Sequence, residues 1–206
     1  MKVLLINGSP HQRGCTYTAL SEVAKTLQEQ GIDTEIFQLG TQPVHGCIGC
    51  NKCRQIGKCV FDDDVANSLL ERMKAADGVI IGSPVYFGGP NGALCTVLDR
   101  ACYASAGKLF FKPAAAIVNA RRAGTTAALD RLNKYIMYMR GVSVASQYRC
   151  MTHGHTPEYV RKDKEGLQIM RTLGRSMAWI LKSIEQGKEP TPCIEPRIKT
   201  SFEDGL

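Results

Sequence analysis

Lys2-Val3-Leu4-Leu5-Ile6-Asn7-Gly8-Ser9-Pro10-His11-Gln12-Arg13-Gly14-Cys15-Thr16 is a short apolar block closed by a polar, glycine-bearing turn. An apolar run of this length, bounded by turn residues, predicts a parallel strand buried on both faces. A helix is predicted next, because Leu20, Val23, Ala24 and Leu27 recur at helical spacing over residues 16–30 and Gly31 supplies a stop. Ile32 to Leu39 alternates like a second strand. Strand, loop, helix and strand in this order set the reading of everything downstream.

The pattern repeats along the chain. Asp62-Asp63-Asp64 predicts the opening of a helix reaching about Ala76, since carboxylates suit a helix start. Gly78 to Gly82 reads as the third strand, broken by Ser83-Pro84 into a loop that runs to Asn91. A helix over 92–105, a strand at Ala114–Asn119, a helix over 124–140 and a fifth strand at Val142–Ser146 follow. A last helix over 164–185 carries Leu167, Met170, Leu173, Met177, Ile180, Leu181 and Ile184 on one side, which suits core or a subunit interface. Alternating strands and helices imply crossover connections, hence an α/β fold with a doubly wound, five-stranded parallel sheet covered on both faces. One domain over residues 1–186 is expected, with a cysteine-rich loop at 40–61 and a tail over 187–206.

A length of 206 residues, with 44% hydrophobic and 22% charged, fits a single globular core. The four apolar residues before Asn7 are too few for a signal-peptide core, and no stretch approaches a membrane span, so a cytoplasmic protein without membrane contact is expected. In that compartment nine cysteines imply free thiols, metal ligands or redox groups more than disulfides. The net charge of +7 suits anionic partners, but the basic residues are scattered without an aromatic-interleaved stripe, so nucleic acid is not expected.

Ligands of open parallel sheets bind beyond the carboxyl ends of the strands, where strand order reverses. Three loops leave strands at that edge. The first, Gly8 to Thr16, offers backbone N–H groups, hydroxyls and one arginine, a set suited to a phosphate monoester. It lacks the Gly-Lys-Ser/Thr ending of a Walker A loop and contains no G-x-G-x-x-G, which weighs against ATP and Rossmann-type dinucleotides. The second, Ser83 to Asn91, sets Tyr86 and Phe87 between proline and paired glycines, where a flat ring could rest. The third, Asn119 to Thr126, brings Arg121 and Arg122 to the same edge.

G-S-P-x2-R-G-C-T, with S-P-V-Y-F-G-G-P-N-G and Leu98-Asp99-Arg100, resembles the NADPH-dependent FMN reductase and iron–sulfur flavoprotein family over about residues 1–150. The resemblance implies a flavodoxin-like sheet of order 2-1-3-4-5. Carried across, it assigns the FMN phosphate to Ser9, Arg13, Cys15 and Thr16. It lays Pro84, Val85, Tyr86, Phe87 and Gly88 along the isoalloxazine ring, and sets Asn119, Arg121 and Gly124 near its pyrimidine end. Two positions depart from the family pattern: His11 stands where arginine is frequent, and Cys15 where asparagine or serine is, with Arg13 expected to compensate.

Cys47, Cys50, Cys53 and Cys59 read C-x2-C-x2-C-x5-C, a spacing that resembles the iron–sulfur flavoproteins, in which four such thiolates hold a 4Fe–4S cluster. Gly46, Gly49 and Gly57 would let the backbone curl around it. A zinc site and unligated thiols stand as alternatives, although zinc knuckles are usually two C-x2-C pairs set further apart. Cys15, Cys95, Cys102, Cys150 and Cys193 lack metal-ligand spacing, His153-x-His155 reads as a polar loop, and Arg171 with Arg175 as one solvated helix face.

The activity implied is hydride acceptance by FMN from NAD(P)H and onward electron transfer to a small-molecule or protein acceptor. No catalytic side chain is needed, because the flavin supplies the reactivity. The alternatives are an electron carrier without its own substrate and a thiol or metal redox sensor. A homodimer or homotetramer is expected from the apolar last helix and from the family's habit.

Overall fold

The computed structural model describes residues 1–187 and 189–195. In chain order the elements are β1 (Lys2–Asn7), α1 (Cys15–Glu29), β2 (Asp33–Gln38), α2 (Cys53–Ile56), α3 (Ala66–Ala75), β3 (Gly78–Tyr86), β4 (Gly89–Pro90), α4 (Gly92–Ala104), β5 (Pro113–Ala120), α5 (Thr125–Tyr138), β6 (Val142–Ser143), β7 (Met151–His153), α6 (Pro157–Lys162) and α7 (Lys164–Gly187). The sheet runs β2-β1-β3-β5-β6, every neighbour on this path parallel. β7 lies parallel beside the far half of β5, and β4 turns back antiparallel on β3. This is the flavodoxin-like order expected, with β5 as its fourth strand and β6 with β7 as its fifth.

Period-two alternation sends β1 residues to opposite faces. Val3 and Leu5 join Ile80 and Ile117 beneath α1 and α7, while Leu4 and Ile6 join Ile81 and Val118 beneath α3, α4 and α5. Both faces are therefore apolar, which explains the unbroken Val-Leu-Leu-Ile run. Each fully buried leucine or isoleucine contributes about 1.5–3 kcal/mol relative to exposure. α1 and α7 approach closely because Gly174 faces Thr26, where a Cβ would stand 2.8 Å from the threonine Cβ.

The strands depart from expectation in two places. Ser83-Pro84 does not break β3, which continues in register with β5, pairing Ser83 with Val118 and Pro84 with Asn119. β1 has already ended, Asn7 pairing with Gly82, so the missing N–H of Pro84 falls on the vacated β1 side and no ladder bond is lost. The fifth strand, expected over 142–146, is split. Ser146 Oγ donates to Ile169 O at 2.7 Å and Gln147 Oε1 accepts from Thr172 Oγ1 at 2.6 Å, so these polar side chains bind α7. The chain regains the sheet only at β7.

The third helix starts at Ala66, four residues after Asp62, because the aspartates serve other partners. Asp62 pairs with Lys58 at 2.7 Å, Asp63 with the His45 ring at 3.2 Å, and Asp64 with Arg100. Only Asp64 acts as a cap, its Oδ1 accepting from Ala66 N at 3.0 Å. The short α6 was not expected, yet its signals stand in the sequence: Thr156 caps it, accepting from Tyr159 N, and Pro157 occupies its first turn. Most of the tail after residue 187 lies outside the described residues. Among the described residues no helix is long and apolar enough to cross a membrane.

Candidate cofactor site

The first loop is built by the polar residue that ends β1. Asn7 is fully buried, and its Nδ2 donates to Gln38 Oε1 at 2.5 Å and to the carbonyls of His11 and Gln12, while its Oδ1 accepts from Ser9 N. Gln38 returns a bond from Nε2 to Ser9 O at 2.7 Å, and Ser9 Oγ accepts from His11 N. The turn thus keeps its shape without a ligand. Gly14 then starts α1 with no side-chain cap, which leaves first-turn N–H groups without a side-chain acceptor, the arrangement that suits an anion. Thr16 Oγ1, in that turn, is buried and has no hydrogen-bond partner among the described residues. A buried hydroxyl without a partner costs about 1–3 kcal/mol, so its persistence at a helix start points to an acceptor that completes it.

The remaining expected phosphate contacts differ in burial. Ser9 is buried and Cys15 is half-buried. Burial pushes the Cys15 thiol up, and the charge of Glu158 adds in the same direction against the opposing hydrogen bond from its own backbone. Arg13 is exposed and shares an open depression with Tyr17, Lys25 and Arg161.

All three loops meet at one edge. Gly8 N donates to Gly82 O at 2.9 Å, Asn91 Nδ2 to Gly8 O at 2.7 Å, and Asn91 N to Ser83 Oγ at 2.9 Å, which fastens the second loop to the first. A Cβ on Gly8 would stand 2.5 Å from Leu94 Cδ2 and 2.8 Å from Gly82 O, so this close approach requires glycine. The third loop seats on the second: Gly124, at φ +89°, would bring a Cβ to 2.8 Å from Gly88 Cα and 2.9 Å from Val85 Cγ1.

Between β3 and β4 the chain turns over Phe87 and Gly88, both with positive φ, +49° and +77°. That is the backbone of a two-residue primed hairpin, in which a phenylalanine is strained. Phe87 is fully exposed and Tyr86 is 44% exposed, with Pro84 and Val85 half-buried behind them. Two aromatic rings therefore flank the edge at which the three loops meet. Asn119 is buried and spends its amide on Thr152, at 3.2 Å to O and 3.0 Å to Oγ1, so it ties β7 to β5. Arg121 is exposed at the end of β5.

The cysteine loop forms a second centre. Cys47, Cys50, Cys53 and Cys59 line one recess, walled by Phe61 and Tyr103. Burial pushes the Cys53 thiol up, and the charges of Cys50, Cys59 and Cys47 add to the rise. Of the glycines expected to let this backbone curl, Gly49 and Gly57 have positive φ and Gly46 does not, and Asn51, at φ +59°, provides another tight bend. Among the described residues no three His, Cys, Asp or Glu side chains converge on a point that could hold a single metal ion.

Side chains of α3 and α4 hold this loop. Asn67 brackets Cys59, its Oδ1 accepting from Cys59 N at 2.8 Å and its Nδ2 donating to Cys59 O at 3.0 Å. Tyr103 donates to Asn51 Oδ1 at 2.8 Å and accepts from Arg54 at 2.6 Å. Arg100, 2% exposed, pairs with Asp64 and donates to His45 O at 3.1 Å and Phe61 O at 2.9 Å. Burial raises the Asp64 carboxyl, but hydrogen bonds from Arg100, Ala66 N and His45 N and the Arg100 charge outweigh it and leave the group below its ordinary value. Asn7, Gln38, Asn67 and Asn91 escaped sequence reasoning as loop anchors. Each is a polar residue at the end of an element or in its first turns, which is the only signal that could have found them.

Sheet order and the edge occupied by the three loops define a flavodoxin-like protein. A family described as NADPH-dependent FMN reductase matches residues 1–156, and the chain belongs to that family. An iron–sulfur flavoprotein of Methanocaldococcus jannaschii is 34% identical over 90% of this chain and 100% of its own length. Another, from Methanosarcina thermophila, is 24% identical over 92% of this chain and 100% of that one. Among solved structures, a flavodoxin from the domain Archaea superposes with a TM-score of 0.60 at 14% identity, covering 88% of this chain and 99% of that chain.

Proposed function

We propose that the chain is an FMN-dependent oxidoreductase that draws electrons from NAD(P)H and passes them, through a 4Fe–4S cluster on the cysteine loop, to a small-molecule or protein acceptor. One observation carries the reading: a pre-shaped turn at an uncapped helix start that buries an unpartnered hydroxyl, Thr16 Oγ1. Membership of the reductase family and likeness to proteins named iron–sulfur flavoproteins support it.

When bound, FMN supplies two-electron acceptance and one-electron release, and the cluster supplies one-electron transfer. The chain's own residues bind and orient. Ser9, Arg13, Cys15 and Thr16 hold the phosphate, and Pro84 to Gly88 lie along the ring. Asn119 orders the β5 end, while Gly124 lets the third loop close on the second near the pyrimidine edge. Arg121 offers a cation there, and a cation favours the anionic reduced ring. Cys47, Cys50, Cys53 and Cys59 hold the iron. No side chain need move a proton. A cytoplasmic homodimer or homotetramer fits this reading, with Trp179 (69% exposed) and Ile184 (50% exposed) on α7 available to a second copy.

The test is anaerobic purification followed by an absorbance spectrum, iron and sulfide analysis, and stopped-flow mixing with NADPH and NADH. Flavin absorbance with four irons per chain and bleaching by a pyridine nucleotide is the expected result. Protein that refuses added FMN in calorimetric titration overturns the flavin reading, and FMN-loaded protein that neither nucleotide bleaches is an exchange carrier instead.

A further inference from the structure

Arg100 makes more contacts than fastening the loop requires. Three of its hydrogen bonds go to oxygens: the Asp64 carboxylate and the carbonyls of His45 and Phe61. These suffice to pin residues 45–64 onto α4, and the guanidinium also sits over the Phe61 ring, 5.5 Å from its centroid. The remaining contact is of another kind. Nε donates to Cys59 Sγ at 3.2 Å, and a thiol sulfur is a weak acceptor whereas a thiolate or metal-bound sulfur is a strong one.

The four thiols are unequally provided for. Cys47 and Cys50 are exposed, and Cys53 is buried on the short α2. Cys59 alone is held at both ends, its backbone bracketed by Asn67 and its sulfur by Arg100. It is also separated from the other three by the longest gap in the motif, so it has the least help from local chain geometry in finding the shared recess.

The geometry points to Arg100 as a positioning residue for the fourth cluster ligand, which aims Cys59 Sγ into the recess and, by its N–H···S bond and buried charge, eases addition of an electron there. The inference rests on the four-thiolate reading above. Its sign follows from elementary electrostatics: a reduced cluster is more negative, a neighbouring cation and an N–H donor stabilise it, and the reduction potential rises. Asp64 opposes this effect in part. It binds Nη1 and not Nε, so removing its charge alone should leave the cation facing sulfur less compensated.

The experiment compares anaerobically reconstituted full-length wild type, Asp64→Asn and the double variant Arg100→Met/Asp64→Asn, which leaves no unpaired buried carboxylate. Iron and sulfide per chain, an EPR-monitored redox titration and an FMN titration as fold control are read for each. The expected order of midpoint potentials is Asp64→Asn most positive, wild type between, and the double variant most negative. A double variant that binds FMN like wild type but keeps three irons per chain also supports the assignment, because the positioning has then failed at one ligand. Four irons in all three proteins with coincident potentials overturns the role of Arg100 while leaving the cluster intact. Wild type that takes up no iron overturns the cluster reading itself, and this inference with it. Should the double variant fail to fold, Arg100→Lys, which keeps the charge and removes the Nε donor, is read in its place: a midpoint below wild type or a loss of iron supports the assignment, and wild-type iron with an unchanged midpoint overturns it.

Discussion

The turn at residues 8–14 and the cysteine loop at 40–61 are both irregular, yet they are ordered by different means. The first is a direct extension of the sheet: Asn7 and Gln38, the last residues of neighbouring strands, share a bond and between them fix Ser9, His11 and Gln12. The second has no strand beneath it and is pinned from outside, by Asn67, Arg100 and Tyr103 reaching out of helices. A loop grown from strand ends inherits the rigidity of the core. One held by a few long side chains depends on each of them, and its stability can be low while the sheet remains intact.

That contrast can be broken most directly at Arg100. Arg100→Ala leaves Asp64 buried without its cation, a loss of about 3–5 kcal/mol. If the loop is a separable unit, alkylation of Cys53 and Cys59 accelerates while the FMN dissociation constant stays near wild type. A parallel loss of flavin affinity would show the two regions to be one.

Next in size is Thr16→Val, which removes the unpartnered hydroxyl at nearly constant shape. A hydrogen bond to a charged group is worth about 1.5–3 kcal/mol, so FMN should bind roughly tenfold more weakly or worse. The apo-protein should be no less stable in urea, since a polar atom with no partner has been taken from the interior. Equal affinity would mean that the hydroxyl does not meet the phosphate.

Phe87→Gly gives a smaller change, of opposite sign in its two readouts. Relief of the positive φ should stabilise the hairpin by about 1 kcal/mol, seen as a higher urea midpoint, while the lost ring weakens flavin binding.

The smallest effect lies in pH. Asp64 is held below its ordinary value of about 3.9, so the unfolded chain binds the proton more tightly and this contribution is complete above that pH. It is lost as pH falls through the lower folded value. Asp64→Asn should flatten the acid limb of stability in that window, and an unchanged limb would remove Asp64 from the account.

Sequence legibility followed the same division. β1, β3 and β5 could be read because burial on both faces demands unbroken apolar runs; the parallel sheet followed from their alternation with helices, and its order from the family resemblance. The turn after β1 was legible too, since glycine, serine and a helix start are local features. What escaped depended on distant partners. The aspartates of 62–64 look like a helix opening until Lys58, His45 and Arg100 are seen to claim them. Pro84 looks like a strand end until β1 is seen to stop first. The split of the fifth strand came from bonds of Ser146 and Gln147 to α7, twenty-three and twenty-five residues away.

That split has a consequence for assembly. A continuous outer strand would offer a row of free amides to any passing extended chain, an invitation to uncontrolled stacking. Here the border beside β5 is two short pieces with a polar excursion between them, too brief to template a neighbour. Copies of this chain that meet at this border therefore do so without pairing strands, and the register of such a union is set by side-chain shape.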